Sequence, residues 1–395
     1  WQGCNLTEIN GGKCNTEEDF YKACRAASIL GTLQAGYTDF KFLTDTSKLI
    51  FDREALLGVS ITGWMNNPDI LFNERVLQKG AEIVKEVNKE VAKVIGINAA
   101  ARTTCVKPSG NASVLLQTAS GIHAEHSNMY IRNVQMNKES EITQAIMKTN
   151  PYMVEDSVWS AGGTDVVVSF PILPKKGSLY KDDLLGVKHL ELVKKAQKYW
   201  VEAGTNEDLC ADKGVRHNVS NTIIVDDWDN VERYVFENRH SFAGISFLAM
   251  SGDKDYNQAP NTAVITAKDM VKKYGNAAIF ASGMVVDALK VFNNLWDACA
   301  TAKGFGEDIS LETSENAMKR DWIRRFKKFG DNYLNSDSDV AEHCLKDAYL
   351  LHKWNKIQST LKTVDWKEDI KERKYTDVDT LAAAACAGGA CEIDF

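Results

Sequence analysis

The chain has 395 residues, a length that suits two or three compact domains or one large α/β barrel. Its net charge is −7, so no basic footprint indicates DNA or RNA as the main partner. No apolar run approaches the roughly 18 residues of a transmembrane helix, and no membrane partner is predicted.

The cysteines indicate a reducing compartment. There are nine of them, an odd number, and Cys24, Cys299 and Cys344 each stand alone in the sequence. Secreted disulfide frameworks use even numbers at closer spacing, so we expect free thiols and a cytoplasmic protein. The chain begins at Trp1 and runs at once into a structured stretch, so we expect that residues preceding it are missing.

The first half predicts two long helices. Residues 16–36 form one, with Thr16 as N-cap and acidic residues in its first turn. Residues 70–95 form the other, because valine, leucine and isoleucine recur along one stripe and Gly96 follows. The next stretch, "ARTTCVKPSGNASVLLQTASGIHAEHS", predicts a strand, a turn, an apolar segment and a second turn.

The second half alternates strands and helices. We predict strands at 165–172 and 220–225, helices at 186–204 and 281–304, and a mostly helical segment at 315–361. This mixture predicts an α/β barrel or a layered α/β domain. Residues 362–385, polar and then alanine-rich, are expected to form a linker to the C-terminal tail.

The stretch "KPSGNAS", from Lys107 to Ser113, is a candidate phosphate loop. A turn of small residues at the start of a helix leaves backbone N–H groups free, and these groups bind phosphate together with the helix dipole. The side chains of Ser109, Asn111 and Ser113 add donors. An ordinary capped turn would have the same pattern, and the Gly-Lys-Ser/Thr ending of a Walker loop is lacking.

Two further polar clusters have alternative interpretations. His123 and His126 could share a metal ion, but no third ligand is evident, and we favour structural histidines and no metal site. Asn218, Ser220 and Asn221 could bind a polar ligand or cap the edge of a strand.

The C-terminal sequence "ACAGGACEIDF" carries Cys386 and Cys391, separated by small residues. This pair could be half of a zinc site, a stray disulfide or a redox shuttle. Only His352 lies near in sequence as a further zinc ligand, and the glycines favour mobility. A mobile dithiol needs a partner disulfide, for which Cys4 is the candidate.

Several stretches together resemble the catalytic subunit of ribonucleotide reductase, in particular its adenosylcobalamin-dependent form. They extend over most of residues 1–305 and return at the tail; they are "GCNLTEI", "GTLQAGYTDF", "LLGVSITGWMN", "TTCVKPSGNASVLLQTASGIHAEHS", "VRHNVSNTI", "GDKDYNQAP", "ASGMVVDAL" and "CAGGACEI". No single stretch is specific, but the set is.

The resemblance implies a fold and a reaction. The fold would be a ten-stranded α/β barrel of the ribonucleotide reductase and glycyl-radical type, incomplete at its N-terminus, in residues 1–314. A helical extension at 315–361 and a linker with a redox-active tail at 362–395 would follow. The reaction reduces ribonucleotides to 2′-deoxyribonucleotides: a thiyl radical abstracts the ribose 3′ hydrogen, and two other cysteines supply the reducing equivalents.

The resemblance also implies roles for residues and partners. Cys4 would be one of the two reducing cysteines, and Cys386 and Cys391 would reduce the resulting disulfide before thioredoxin or a glutaredoxin-like protein reduces them. The substrate phosphates would lie on Pro108, Ser109, Gly110, Asn111, Ala112 and Ser113. Adenosylcobalamin would be the cofactor.

Part of the family's machinery does not occur in this sequence. The radical cysteine of the family lies in an Asn-Pro-Cys-x-Glu stretch upstream of the position of Cys4, and the first reducing cysteine and the nucleotide-effector region lie further upstream. Cys14 is no substitute, because "GGKCNTEE" lacks the proline and the glutamate. We therefore expect this fragment alone to be inactive.

Three alternatives remain open. A catalytic subunit that takes its radical from a separate iron or manganese protein would usually carry paired tyrosines, and no Tyr-Tyr occurs here. A non-catalytic zinc-binding scaffold would use the tail cysteines as ligands. A glycyl-radical enzyme would need Arg-Val and Tyr around its glycine, and "CAGGAC" lacks them.

Overall fold

The computed structural model describes residues 2–250, 256–304, 310, 312–334 and 338–369. Its strands are β1 Asn5–Asn10, β2 Leu57–Thr62, β3 Tyr130–Asn137, β4 Val154–Asp156, β5 Asp165–Ile172, β6 Thr222–Val225, β7 Ser246–Ala249 and β8 Asn261–Ala263. Its helices are α1 Glu17–Ala35, α2 Asp45–Glu54, α3 Pro68–Leu71, α4 Glu74–Ile95, α5 Gly110–Leu116, α6 Glu141–Thr149, α7 Val187–Ala196, α8 Trp228–Glu237, α9 Ala267–Tyr274, α10 Ala277–Ala288, α11 Leu295–Gly304, α12 Ser314–Tyr333, α13 Ser338–Thr360 and α14 Trp366–Asp369.

The two long N-terminal helices begin and end at the predicted signals. Thr16 forms a capping box with Asp19, in which each side chain accepts a hydrogen bond from the other residue's backbone N–H. Gly96 ends α4 in the left-handed region at φ +77°, which costs glycine little. The first turn predicted for the second helix is instead the separate short helix α3.

Two predicted helices are interrupted. The helix predicted at 281–304 is in fact α10 and α11, because Asn294 accepts a hydrogen bond from the backbone N–H of Asp297 and starts a new helix. The helix predicted at 186–204 is α7 followed by a π-helical turn, Gln197–Glu202. The strand predicted at 220–225 is shorter, Thr222–Val225, whereas the strand predicted at 165–172 is confirmed.

The chain folds into two compact units. Unit 1 is the described part of Trp1–Asn128 and Pro174–Gly252, and unit 2 is the described part of Met129–Leu173 and Asp253–Phe395. The predicted limits 1–314, 315–361 and 362–395, which come from the sequence pattern together with the resemblance, stay a prediction.

Unit 1 is built around parallel pairings. β1 pairs with β2 along its whole length, with Asn5 opposite Leu57. Residues 103–106 add the next segment, through the parallel bridge between Val59 and Thr104. Residues 218–225 follow through the bridge between Val106 and Val219, and β7 pairs with β6. The result is a parallel array of five segments.

Helices cover one face of this array. Ile9, Leu57, Val59 and Val106 are buried in one core with apolar residues of α1 and α4. The two helices also contact each other, and the hydroxyl of Ser28 donates a hydrogen bond to the carbonyl of Val84 at 2.8 Å. Parallel strands covered by helices are the expected α/β arrangement.

Unit 2 consists of an antiparallel sheet and a group of packed helices. Its sheet has the antiparallel order β4-β5-β3-β8, with Tyr130 opposite both Ile172 and Ala263. α10, α12 and α13 pack around a second core that contains Ala281, Trp322 and Leu345.

The α/β class is therefore confirmed. The strands traced in the described residues form one four-stranded and two two-stranded sheets, and no closed barrel is traced among them. Within the same residues, no helix has the length and apolar character needed to cross a membrane.

Candidate functional site

The face of the unit 1 array that α1 and α4 do not cover is polar. Side chains alternate between the two faces of a strand, so Cys4 and Glu8 share one face, and Thr7 and Ile9 the other. Pairing extends this face across β2 and residues 103–107. We call it the thiol face and define it by Cys4, Glu8, Gly58, Ser60, Cys105 and Lys107.

Gly58 lets two thiols approach the same point. A Cβ atom at Gly58 would lie 2.7 Å from Sγ of Cys4 and 3.1 Å from Sγ of Cys105. Both cysteines are free thiols; Cys105 is buried and Cys4 is half-buried. Any larger residue at position 58 would therefore push the two sulfur atoms apart.

Both thiols are held in the protonated form. Burial raises the pKa of Cys4 to about 11, although the nearby ammonium of Lys107 lowers it in part. Burial also raises the pKa of Cys105 well above the ordinary value, and the neighbouring Cys4 adds to this effect. A thiolate is the reactive form of cysteine, so this environment suppresses thiol reactivity.

Glu8 is linked to the candidate phosphate loop through Ser60. The hydroxyl of Ser60 donates to Oε1 of Glu8 at 3.2 Å and accepts from the backbone N–H of Lys107 at 3.0 Å. Burial raises the pKa of Glu8, and the hydroxyls of Ser109 and Ser60 lower it in part. Oγ of Ser109 is buried beside this carboxyl but makes no hydrogen bond of normal geometry.

Contacts with Ser120 and Gly121 hold the candidate phosphate loop in place. The hydroxyl of Ser120 donates to the carbonyl of Pro108. Gly121 has φ +53°, and a Cβ there would lie 2.4 Å from the carbonyl oxygen of Lys107. Only glycine allows this close approach of the two backbone segments.

The residues predicted to hold phosphate lie together at the start of α5. Ser109 is its N-cap, in the left-handed region at φ 55°, and its side chain does not cap the helix. Ser113 folds back, with its hydroxyl donating to the carbonyl of Gly110 at 3.0 Å. The first backbone N–H groups of a helix lack intrahelical partners, so those of Gly110, Asn111 and Ala112 are the groups that a phosphate would use.

The side chains of the other predicted clusters contact groups within the chain. Nδ1 of His123 lies 3.0 Å from the carbonyl of Ser120, and His126 lies 2.9 Å from Nζ of Lys181. Among the described residues, no group of three metal-binding side chains occurs.

Asn221 is also engaged within the chain. Its side-chain amide donates to the carbonyls of Val219 and Gly244, which supports the strand-capping interpretation.

The structure adds residues that the sequence analysis missed. Glu8, Gly58, Ser60 and Cys105 join Cys4 and Lys107 on one face, whereas Cys386 and Cys391 lie outside the described residues. The available signal was the alternation in "CNLTE", which puts Cys4 and Glu8 on the same side of a strand.

Comparisons with known proteins give the same family as the sequence motifs. No family model matches the chain. It is 28% identical over 205 residues to a protein of Dictyostelium discoideum described as a "probable adenosylcobalamin-dependent ribonucleoside-triphosphate reductase". It is 25% identical over 206 residues to the adenosylcobalamin-dependent ribonucleoside-triphosphate reductase of Euglena gracilis.

Each match covers 50% of this chain but only 26% and 27% of the relatives, so the chain spans about a quarter of their length. A crystal structure of a B12-dependent, class II ribonucleotide reductase also matches, with a TM-score of 0.57 and 17% identity. That match covers 69% of this chain and 40% of the other. The resemblance to this class of reductase is thus confirmed, and the fold is similar.

Proposed function

We propose that the chain is the C-terminal part of an adenosylcobalamin-dependent ribonucleotide reductase, whose whole protein converts ribonucleotides to 2′-deoxyribonucleotides. The observation that carries this proposal is the thiol face. Cys4, which the resemblance assigns as a reducing cysteine, lies on a polar face that also leads into the predicted phosphate loop. The parallel array supports a further proposal, that unit 1 forms one side of a ten-stranded barrel.

The proposed reaction oxidises two thiols to a disulfide. The 2′ hydroxyl leaves as water and a hydrogen takes its place, while Cys4 and a second cysteine, upstream in the whole protein, each lose a hydrogen and form a disulfide. We propose that the dithiol of Cys386 and Cys391 then exchanges with this disulfide and that thioredoxin or a glutaredoxin-like protein reduces the tail. A nucleotide effector would act through the upstream region.

Substrate phosphate would bind at residues 108–113. The backbone N–H groups at the start of α5 supply donors, and Ser60, Ser120 and Gly121 hold the loop in place. A preformed loop loses less conformational entropy when it binds a ligand, which favours binding.

Adenosylcobalamin would supply the initiating radical when bound. The space directly above Gly58 is filled, because a single added methyl group there would meet Leu6, Cys4 and Cys105 within 3.1 Å. The seven cysteines in the described residues are free, which supports a cytoplasmic location.

The test uses the whole protein, extended upstream to include the Asn-Pro-Cys-x-Glu stretch. Anaerobic deoxyribonucleotide formation should require adenosylcobalamin, and Cys4→Ser should abolish it. Cys386→Ser or Cys391→Ser should stop multiple turnover with thioredoxin, and a small dithiol should restore it by reaching the disulfide directly. Failure of that rescue would contradict the shuttle role.

The same preparation separates the alternatives. Activity that needs a second, metal-containing protein instead of adenosylcobalamin would identify the other reductase class. Stoichiometric zinc that disappears in a Cys386→Ser, Cys391→Ser double variant would identify a scaffold.

A further inference from the structure

Lys107 is a half-buried residue whose ammonium group lacks a partner among the described residues. Its backbone N–H bonds to Ser60, but within the described part of the chain its ammonium has no ion pair or hydrogen bond. Lys107 and Cys105 are two residues apart on one extended segment, so their side chains share the thiol face. Sγ of Cys4 also lies on this face, close to Gly58 and on the same side of the strand array as Cys105.

We propose that Lys107 is the positioning residue that stabilises the thiolate of Cys4 during thiol–disulfide exchange. A cation without a partner beside two buried thiols stabilises an anion that forms there. The carboxyl group of Glu8 on the same face accepts a hydrogen bond from Ser60 and makes no ion pair with Lys107, so the anion left for Lys107 among these residues is a thiolate. The direction of the charge effect agrees, because Lys107 lowers the pKa of both Cys4 and Cys105 against the effect of burial.

The other groups around Cys4 do not supply this charge. Glu8, from its own strand, is an acid, and Ser60 on β2 is neutral. Cys4 also packs against a small cluster of Leu56, Ala101 and Cys210, and the pKa of Cys210 is itself raised by burial. Lys107 is thus the cation that acts on Cys4.

The inference deepens the proposed function, and its role in turnover rests on that function. When an incoming thiolate attacks the disulfide that contains Cys4, a new sulfur–sulfur bond forms to the partner sulfur. The old bond breaks, and Sγ of Cys4 leaves with the electron pair as a thiolate that later takes a proton from water. A leaving thiol of lower pKa leaves faster, so the ammonium of Lys107 would speed this step.

The experiment measures thiol reactivity in the 395-residue chain and needs no reductase activity. Iodoacetamide reacts with thiolates, and mass spectrometry of the tryptic peptide that ends at Lys13 reports on Cys4 alone. At about pH 8, Lys107→Met should slow alkylation of Cys4 roughly threefold to tenfold, because a pKa rise of up to one unit lowers the thiolate fraction by that factor. Lys107→Arg should restore the rate.

Lys175→Met is the matched control. Lys175 lowers the pKa of Cys14, which burial and Asp19 raise to about 11, and Nζ of Lys175 donates to the carbonyl of Gly12. This variant should slow Cys14 and leave Cys4 unchanged.

The proposal is overturned if Lys107→Met leaves the rate at Cys4 unchanged, or if Lys107→Met and Lys107→Arg slow it equally, which would indicate packing instead of charge. A normal labelling pattern together with an inactive whole protein would contradict the proposed function and leave the role of Lys107 intact.

Discussion

Replacement of Arg102 should destabilise unit 1 more than any surface charge change. The guanidinium of Arg102 is 5% exposed and pairs with Glu54, which is 6% exposed, at 2.9 Å. It also donates from Nε to the carbonyl of Val215 at 2.8 Å and from the second amino group to the carbonyl of Asp212 at 2.9 Å. One side chain thus joins the end of α2 to the loop before residues 218–225.

The magnitude follows from what Arg102→Met leaves behind. Breaking a buried ion pair by removing one partner costs about 3–5 kcal/mol, because the other charge stays buried. Glu54 retains a hydrogen bond from Arg53 at 2.7 Å, so we expect the lower end, about 3 kcal/mol. Arg53→Met is the control: its side chain is 57% exposed, and its loss should cost about 0–1 kcal/mol.

Hydrogen exchange is the suitable assay because the two units need not unfold together. The backbone N–H groups of Leu57 and Val59 bond to the carbonyls of Arg102 and Thr103 within unit 1. A loss of about 3 kcal/mol corresponds to roughly a hundredfold faster exchange at these amides. Exchange in Arg102→Met within threefold of Arg53→Met would refute the reasoning. Adding Glu54→Gln to Arg102→Met should recover part of the loss, because the unpaired anion is gone.

The same ion pair has a pH signature. Burial opposes ionisation of Glu54, but hydrogen bonds from Arg53, Gln2 and Arg102 outweigh it and hold the pKa of Glu54 below its usual range. A lowered pKa in the folded state stabilises the protein above the unfolded-state value of about 4.3, and this contribution disappears as the pH falls through the folded value. The difference between the wild type and Arg102→Met should therefore shrink below about pH 4.

Three other substitutions give distinct outcomes. Gly58→Ala should cost about 1–3 kcal/mol by overpacking and should expose the thiol of Cys4 to faster alkylation, measured by mass spectrometry. Gly283→Ala in α10, where a Cβ would meet no atom within 4 Å, should instead raise stability by about 0.5–1 kcal/mol, measured by thermal unfolding. Burial lowers the pKa of His189 to about 4, so the unfolded chain binds the extra proton between about pH 6.5 and that value. As the pH decreases through this range, the free energy of unfolding should decrease by up to about 1.4 kcal/mol per pH unit. His189→Gln should make this dependence on pH weaker, and an unchanged slope would contradict the reasoning.

Local signals predicted the helices well and the site poorly. Thr16 and Gly96 work through contacts within a few residues, so the sequence alone was enough to predict both helix ends. The break before α11 was missed because the apolar pattern continues across it, and only the capping by Asn294 reveals it. Cys4 was found through its resemblance to a family motif.

The pattern of β2 puts Gly58 and Ser60 on one face, but it could not predict the other residues of the thiol face. In β2, apolar Leu57, Val59 and Ile61 alternate with Gly58, Ser60 and Thr62, so the pattern separates two faces but does not show which residues of other segments lie beside each face. Gly58 resembles an ordinary small residue until strand pairing puts Cys4 and Cys105 on either side of it. These contacts join residues about fifty positions apart, and the register that creates them is a tertiary property.

The alternation of side chains in β1 also restricts how this segment can change in length. Deleting or inserting one residue between Cys4 and Ile9 would turn every side chain on one side of the change to the opposite face. The thiol would then enter the apolar core beneath α1, or Ile9 would leave it. A change of two residues would restore both environments. Among natural variants, length changes in β1 should therefore occur in even numbers, as the geometry of the strand dictates.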